Sequence, residues 1–533
     1  MKKWITVALS AALCLTCTAC SGQTSSQSEK KNEYVQASTP TAYYMDGSAF
    51  TPVLRFVVSA DTHIGDYYTY AQAERRVENL FTDAYAYSRT QEYDKLDAFV
   101  VVGDYVEEGT QQEYIDFSEA WQKNIKPETT FLCLQAGHEL IKGSRDDHKI
   151  YTANEMGMHV KINGYHFITI SNTRWLTDEN GEFILDENGK KQYSEAPDPE
   201  CDLEWIEDSL EEAREDTGEL KPIFSFHHHP ITNTIIGSDG PDKNGNETGP
   251  VYNPAPVFEP LFANYTNLVD FCGHIHIPTM HPRAIMQHEY TTLSPGAILY
   301  SSWASDLPDM ANSISQGEGT TVSSGANIVE VDAEGRIRIL PYNVAMREFY
   351  NEIGTGNKDQ QLIRYIECAG DKDTWLYTED RNKTDDLPTW SESAKVHKVK
   401  FEKYGVWADF VKEAEGEKPK DEYQLRPRLE LTFDVADDKD GIECYKVQVK
   451  NKSTGKYVKF WHDRKKKDIN YTYVMSKYFI TPQPTRITVE TLGISLEEGY
   501  NLVNGVQYEL QITPIDAWHN EGETKTADFT YTE

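Results

Sequence analysis

From Val53 onward the chain alternates short apolar runs with polar clusters. Leu54 to Val58 runs into Ser59-Ala60-Asp61, and Ala98 to Val102 runs into Gly103-Asp104. Phe131 to Leu134 leads to Gln135-Ala136-Gly137-His138, Ile223 to Phe226 to His227-His228-His229-Pro230, and Leu268 to Cys272 to Gly273-His274. Uninterrupted β-type runs of this length predict strands buried on both faces. Between them, Ala71 to Ser88, Gln111 to Lys123 and Cys201 to Arg214 read as helices. In the last, Leu203, Ile206 and Leu210 fall at i, i+3 and i+7, with acids on the other side. Strand, polar tip and helix in repetition define a layered α/β domain, whose chemistry belongs at the carboxyl ends of the strands. A hairpin of Asn327 to Val331 and Arg336 to Leu340 closes it.

Two insertions interrupt the alternation. Asp178-Glu179-Asn180-Gly181 recurs as Asp186-Glu187-Asn188-Gly189 around Phe183-Ile184-Leu185, the pattern of a protruding hairpin with Asn-Gly turns. Gly237 to Pro254 carries Asp239, Asp242, Asn244 and Asn246, but without EF-hand spacing or its closing Glu it reads as a polar loop. After about residue 390 the pattern changes. Lys395 to Phe401, Arg428 to Val435, Tyr445 to Lys450, Thr485 to Thr491 and Tyr508 to Pro514 alternate apolar with polar, as in an antiparallel β-sandwich. The basic run Arg464 to Lys467 within it reads as a solvated loop.

The first residues are an address. Lys2 and Lys3 precede an apolar run from Trp4 to about Leu15, then Thr18-Ala19-Cys20, which predicts an export signal whose Cys20 becomes lipidated. Residues 21 to 40 are polar, like a tether. The chain thus divides into a signal (1–20), a tether (21–45), an α/β domain (46–350), a connector (351–390) and a sandwich (391–533). Export to the outer face of a bacterial membrane is the expectation, with the lipid as sole anchor and simple secretion as the alternative. The five cysteines beyond the signal, Cys133, Cys201, Cys272, Cys368 and Cys444, are too sparse for a disulfide scaffold and form no thiolate zinc cluster.

Charge narrows the partners. The 533 residues carry 52 Lys and Arg against 86 Asp and Glu, a net charge of −34. Residues 391 to 533 hold 22 basic and 25 acidic residues, so the acidic excess lies almost wholly before them. Such a chain is a poor partner for a nucleic-acid backbone. Five strand tips nevertheless present Asp61-Thr62-His63, Gly103-Asp104, Gly137-His138-Glu139, His228-His229-Pro230 and Gly273-His274-Ile275-His276. Asp and His are the ligand types that suit first-row divalent ions. One such pair could be structural; five in order on one edge of a sheet point to a metal site.

As an ordered set these motifs resemble the signature of the calcineurin-like metallophosphoesterases, D-x-H, G-D, G-N-H-D/E, H-x-P and G-H-x-H, over roughly Val53 to Tyr342. The resemblance implies a four-layer fold, two packed β-sheets flanked by helices, ahead of the C-terminal all-β domain. It implies two divalent ions (Mn, Fe or Zn), one held by Asp61, His63 and His276, the other by His228 and His274, with Asp104 bridging. His138 would meet the reacting phosphoryl group or leaving oxygen, and Glu139 would orient it. The family's Asn ligand is replaced by Gly137, which predicts a weaker second metal. The implied activity is hydrolysis of a phosphomonoester or phosphodiester by a metal-bound hydroxide, on a phosphorylated small molecule or cell-envelope phosphate ester. The alternative is a catalytically weak metal-binding module that holds envelope glycan or protein through its sandwich. Gly505 to Ala517 resembles the penultimate-strand region of a fibronectin type III domain, an Ig-like sandwich.

Overall fold

The computed structural model describes residues 43–65, 70–171, 174–175, 184–185, 189, 193–194, 197–238, 259–301, 323–353, 360–405, 426–462, 467–478, 480, 483–495 and 498–532. The chain separates into Met1–Glu33 and Tyr34–Glu533, and all described residues belong to the second unit. Cys20 and its signal, most of the tether, nearly all of the Asp178–Lys190 insertion, 239–254 and the first three of the four basic residues Arg464 to Lys467 lie outside them. No helix among the described residues is long and apolar enough to cross a membrane.

Strands β1 (Pro52–Ser59), β2 (Ala98–Val102) and β3 (Thr130–Leu134) run parallel at one side of a seven-stranded sheet. Gly325–Asp332 and Ile337–Asn343 extend it antiparallel beyond β1. A six-stranded sheet is built on the hairpin of β4 (Gly157–Ile162) and β5 (Tyr165–Ile170), followed by parallel strands Ile223–His227 and Leu268–Cys272. Side-chain alternation divides the first sheet's residues between two cores. Leu54, Phe56, Val58, Val100 and Leu132 pack with Phe167, Phe224, Phe226 and Phe271 of the second sheet. Val57, Phe99 and Val101 face the other way, onto Val77, Leu80 and Phe81 of α1 (Tyr70–Arg89) and Tyr114 and Phe117 of α2 (Gln111–Asn124). A short α3 (Arg145–Thr152) follows. On the outer side of the second sheet, Ile206, Leu210 and Ala213 of α4 (Leu203–Thr217) pack on Ile168, Ile223 and Leu268. The order helix, sheet, sheet, helix is the expected four-layer α/β architecture.

The connector stretch is tied into this body. Arg364–Ile366 adds an edge strand to Ile337–Asn343, Ile366 and Ala369 enter the inter-sheet core, and Gln287 Oε1 accepts from the N–H groups of Leu376 and Tyr377. Three residues of strand among polar neighbours leave little periodicity to read. At the other end Tyr44 is buried, stacked on Phe50 and edge-on to Tyr365, so ordered packing begins inside the tether segment.

The C-terminal strands form two antiparallel sheets around one core. Val396–Gly405, Arg426–Asp434 and Arg486–Gly493 make one; Thr472–Met475, Ile442–Asn451, Gln507–Asp516 and Lys525–Thr530 make the other. Leu431, Phe433 and Ile487 from the first meet Val447, Val449, Leu510 and Ile512 from the second. Gln507–Asp516 is the strand before the last, and near its start the Tyr508 hydroxyl accepts the Val503 N–H at 2.8 Å. This bond ties the start of the strand to the turn that precedes it.

Candidate metal centre

The five turns after β1, β2, β3, Ile223–His227 and Leu268–Cys272 converge because both sheets end their parallel strands on the same side. The turns are stitched to one another. Asp61 N–H donates to Gly103 O at 3.1 Å, His63 N–H to Asp104 O at 3.0 Å, and Gly273 N–H to His228 O at 2.9 Å. The fit is tight enough to require glycine: a Cβ on Gly103 would lie 2.6 Å from that of Ala136, and one on Gly273 would lie 3.0 Å from Asp61 Oδ2. Asp61, His63, Asp104, His274 and His276 all take positive φ, between 46° and 70°. Such backbone costs of order 1–3 kcal/mol per residue and persists where surrounding structure over-determines it.

Three groups of side chains could hold ions here: Asp61, His63 and His276; Asp61, Asp104 and His228; and His228, His229 and His274. All six ligands expected from the sequence are therefore brought together, with His229 as an addition. A further trio joins His63 and His138 to Glu107.

Ring tautomers test whether these donors suit a cation. His228 Nδ1 donates to Val102 O at 2.7 Å, His276 Nδ1 to Tyr300 O at 3.2 Å, and His63 Nδ1 to Glu107 Oε2 at 2.8 Å. Each leaves an Nε2 lone pair aimed inward. His63 Nε2 and His276 Nε2 lie 3.2 Å apart, and His228 Nε2 is 2.9 Å from Asp104 Oδ2 with no aligned hydrogen bond. Lone pairs facing lone pairs and carboxylates repel unless positive charge stands among them. Histidines whose other nitrogen donates to a carbonyl or carboxylate are the usual metal ligands. The donor set fits divalent ions.

The charges agree. Burial lowers the pKa of His63 and holds His229 well below the usual imidazole range, so both rings are neutral, as ligands must be. Burial opposes ionisation of Asp104, but His228 and His138 outweigh it and keep that carboxyl well below the ordinary range. Burial lowers the His228 pKa, but Asp104 and Asp61 outweigh it and push it up to about 10, the mark of a pocket whose carboxylates call for positive charge.

His138 and Glu139 part company. The His138 ring donates from Nδ1 to Glu107 O at 2.6 Å, and its side chain, 35% exposed, is the open edge of the cluster. Burial works against its charge, yet Asp104 and the Glu107 carbonyl raise its pKa above the usual value. Glu139 is fully buried and takes four backbone N–H groups: those of Ala136 and Asp104 on one oxygen and of Tyr105 and Val106 on the other. Its carboxylate thus holds the Asp104 turn, while the His138 ring is oriented by Glu107. Burial and Asp104 push the Glu139 pKa up to about 7, against those donors. Gly137 has φ −70° and ψ −43°, ordinary right-handed backbone. Glu107 and the Tyr300 carbonyl are neighbours that the motifs do not reveal, and His229, though inside the His228-His229-Pro230 tip, has no role in the expected ligand set; only the geometry of the turns brings them in.

Two packed sheets flanked by helices, with this His and Asp cluster at the strand ends, constitute a metallophosphoesterase fold. Residues 54–278 match the calcineurin-like phosphoesterase family, and they form a domain of that kind. The match includes every turn from Asp61 to His276. A solved structure similar to this chain is a purple acid phosphatase from yellow lupin (Lupinus luteus) seeds, with 11% sequence identity and a TM-score of 0.32. The similarity covers 56% of this chain and 52% of that one, about half its length. No curated protein matches the chain in sequence.

Proposed function

We propose that this protein hydrolyses phosphate esters with divalent metal ions, at the outer face of a bacterial membrane to which lipidated Cys20 anchors it. The observation that carries the activity is the inward convergence of Asp61, Asp104, His63, His228 and His276, with Nε2 lone pairs facing one another. Divalent ions held there would supply Lewis acidity and an activated water near neutral pH. Asp61, His63 and His276 would hold one ion and His228 and His274 the other, with Asp104 available to both. His138 keeps its Nδ1 proton on the Glu107 carbonyl, so a proton on Nε2 is the one free to pass to a departing alcohol. Its raised pKa favours that proton near neutral pH. Its exposure gives a substrate access from the solvent side. The substrate is a phosphorylated small molecule or an envelope phosphate ester.

The deciding experiment pairs metal content with turnover of an aryl phosphate monoester and diester. Asp104→Asn should abolish turnover and release metal from both groups without unfolding the protein; near-normal turnover would remove Asp104 from between the ions. Bound metal with no turnover of either ester would favour a binding module instead. Cys20→Ser should move the protein from the membrane fraction to the medium, and unchanged fractionation would rule out the lipid anchor.

A further inference from the structure

The three consecutive histidines at the end of Ile223–His227 have different surroundings. His227 faces the strand's own sheet: its Nε2 is 2.9 Å from Asp270 Oδ2, whose other oxygen accepts from Ser225 Oγ at 2.6 Å. His228 turns into the Asp61–Asp104 cluster. His229, only 2% exposed, packs against the other two rings, its centroid 5.0 Å from that of His228 and 4.4 Å from that of His274. One ligand nitrogen from each of these three rings lies within 4.8 Å of the others. Nitrogens bound about 2.0–2.1 Å from one ion stand at most about 4.2 Å apart, so the three rings need only a small inward adjustment to share an ion.

We infer that His229 is the ligand that completes the second metal site in place of the missing Asn at Gly137. The inference rests on the metallophosphoesterase reading and specifies how its second ion is held. Gly137 contributes no side-chain oxygen, so His228 and His274 alone, with a shared Asp104, leave that ion short of protein donors. A third imidazole on the same ion restores the number of donors and replaces a neutral amide oxygen by a stronger nitrogen donor. The second site is then rich in nitrogen, a donor set suited to Zn²⁺ and other later first-row ions over Mg²⁺.

The test uses the full chain and measures Mn²⁺ and Zn²⁺ binding by equilibrium dialysis with elemental analysis. Thermal unfolding in chelator gives a metal-free control for the fold. His229→Ala should keep one tightly held ion and weaken the second by at least ~10-fold, a loss no smaller than that for removing a supporting group around a metal. Adding Gly137→Asn to that variant should recover most of the lost affinity, because the ordinary φ at this position accepts Asn without strain. His229→Gln, which keeps a polar side chain of similar length, covers the case in which alanine disturbs the fold; it too should weaken only the second ion. Unchanged second-ion affinity in a folded His229→Ala or His229→Gln variant would overturn the inference, as would a double variant that gains nothing from Asn. If the natural protein binds two ions with this dependence but hydrolyses no ester, the ligand assignment stands and the functional reading falls. If it hydrolyses esters with metal binding indifferent to His229, the reverse holds.

Discussion

At the scale of single residues, the most consequential side chain outside the ligand set is Glu139. Four backbone N–H groups converge on its two oxygens, three of them from the consecutive residues Asp104, Tyr105 and Val106. Hydrogen bonds to a charged acceptor are about twice as strong as neutral ones. They also compensate for the strained φ of 46° at Asp104. Glu139→Gln keeps the shape but replaces one oxygen with an NH₂ that must face backbone N–H donors. The expected result is a loss of about 2–3 kcal/mol in stability and weaker retention of both ions, because the Asp104 turn loosens. Metal stoichiometry after gel filtration, with denaturant unfolding in chelator, reads both effects. A variant that loses turnover while retaining full stability and both ions would give Glu139 a direct chemical role instead. The motif made this residue conspicuous, but its job depends on which backbone it reaches, and sequence spacing contains no such information. Glu107 was harder still: it is one acid among several after Gly103-Asp104, and only the folded turn sets it against His63.

At the scale of elements, the first sheet carries its own lock. Arg55, Glu330 and Arg338 are directly opposite one another on three adjacent strands. Glu330 takes Arg55 Nε on one oxygen and Arg338 Nε on the other, both at 2.8 Å, and all three are essentially unexposed. Burial raises the Glu330 pKa, but Arg55 and Arg338 outweigh it and leave it below the usual carboxylate value. A folded pKa below the unfolded one adds stability that is complete above the unfolded value and is lost as pH falls through the folded one. Glu330→Gln should therefore cost about 3 kcal/mol at neutral pH by leaving two buried guanidinium groups without a countercharge. The gap from the natural protein should narrow as pH falls below the unfolded glutamate value of about 4.3 and close once it has passed the lower folded value. A gap independent of pH in denaturant titrations would contradict this account. This triad was invisible in sequence, because its members are distant residues that only register aligns. The elements themselves were largely legible: Ala98 to Val102 and Leu268 to Cys272 coincide with their strands, and the three predicted helices fall within three residues of α1, α2 and α4. Runs buried on both faces and amphipathic helices announce themselves. The β4–β5 hairpin is not among the predicted elements, although Asn163-Gly164, both at positive φ, carries the signal of a tight turn.

At the scale of the whole molecule, the C-terminal sandwich is packed against the loop that bears His274 and His276. Trp518, in the turn after Gln507–Asp516, shares a buried cluster with Ile235, Cys272, Ile275, Ile277 and Met286. Arg283 and Arg381 lie over its ring at 5.6 and 5.3 Å, and Arg381 donates to the carbonyls of Pro282 and Ile285. A second shared cluster joins Met280 and Tyr350 to Cys444, Tyr478 and Ile515. The sequence announced two domains because the hydrophobic period changes near residue 390, but a boundary in pattern says nothing about the contact between the parts. Here the contact bears on the site. His274 and His276 hold φ of 70° and 53°, and between and after them Ile275 and Ile277 are buried beside Trp518. Seating those two side chains fixes the turn that aims both imidazoles. Trp518→Ala should cost about 3–5 kcal/mol by emptying that pocket. The freed turn should relax from positive φ and weaken both ions. Trp518→Phe, which keeps an aromatic ring there, should recover most of the affinity. Calorimetry of the natural protein should show one transition for both domains, raised by added metal, and Trp518→Ala should shift the whole of it downward. Two separate transitions, with metal raising only one and Trp518→Ala lowering only the other, would show the sandwich to be a passenger on the metal-binding domain.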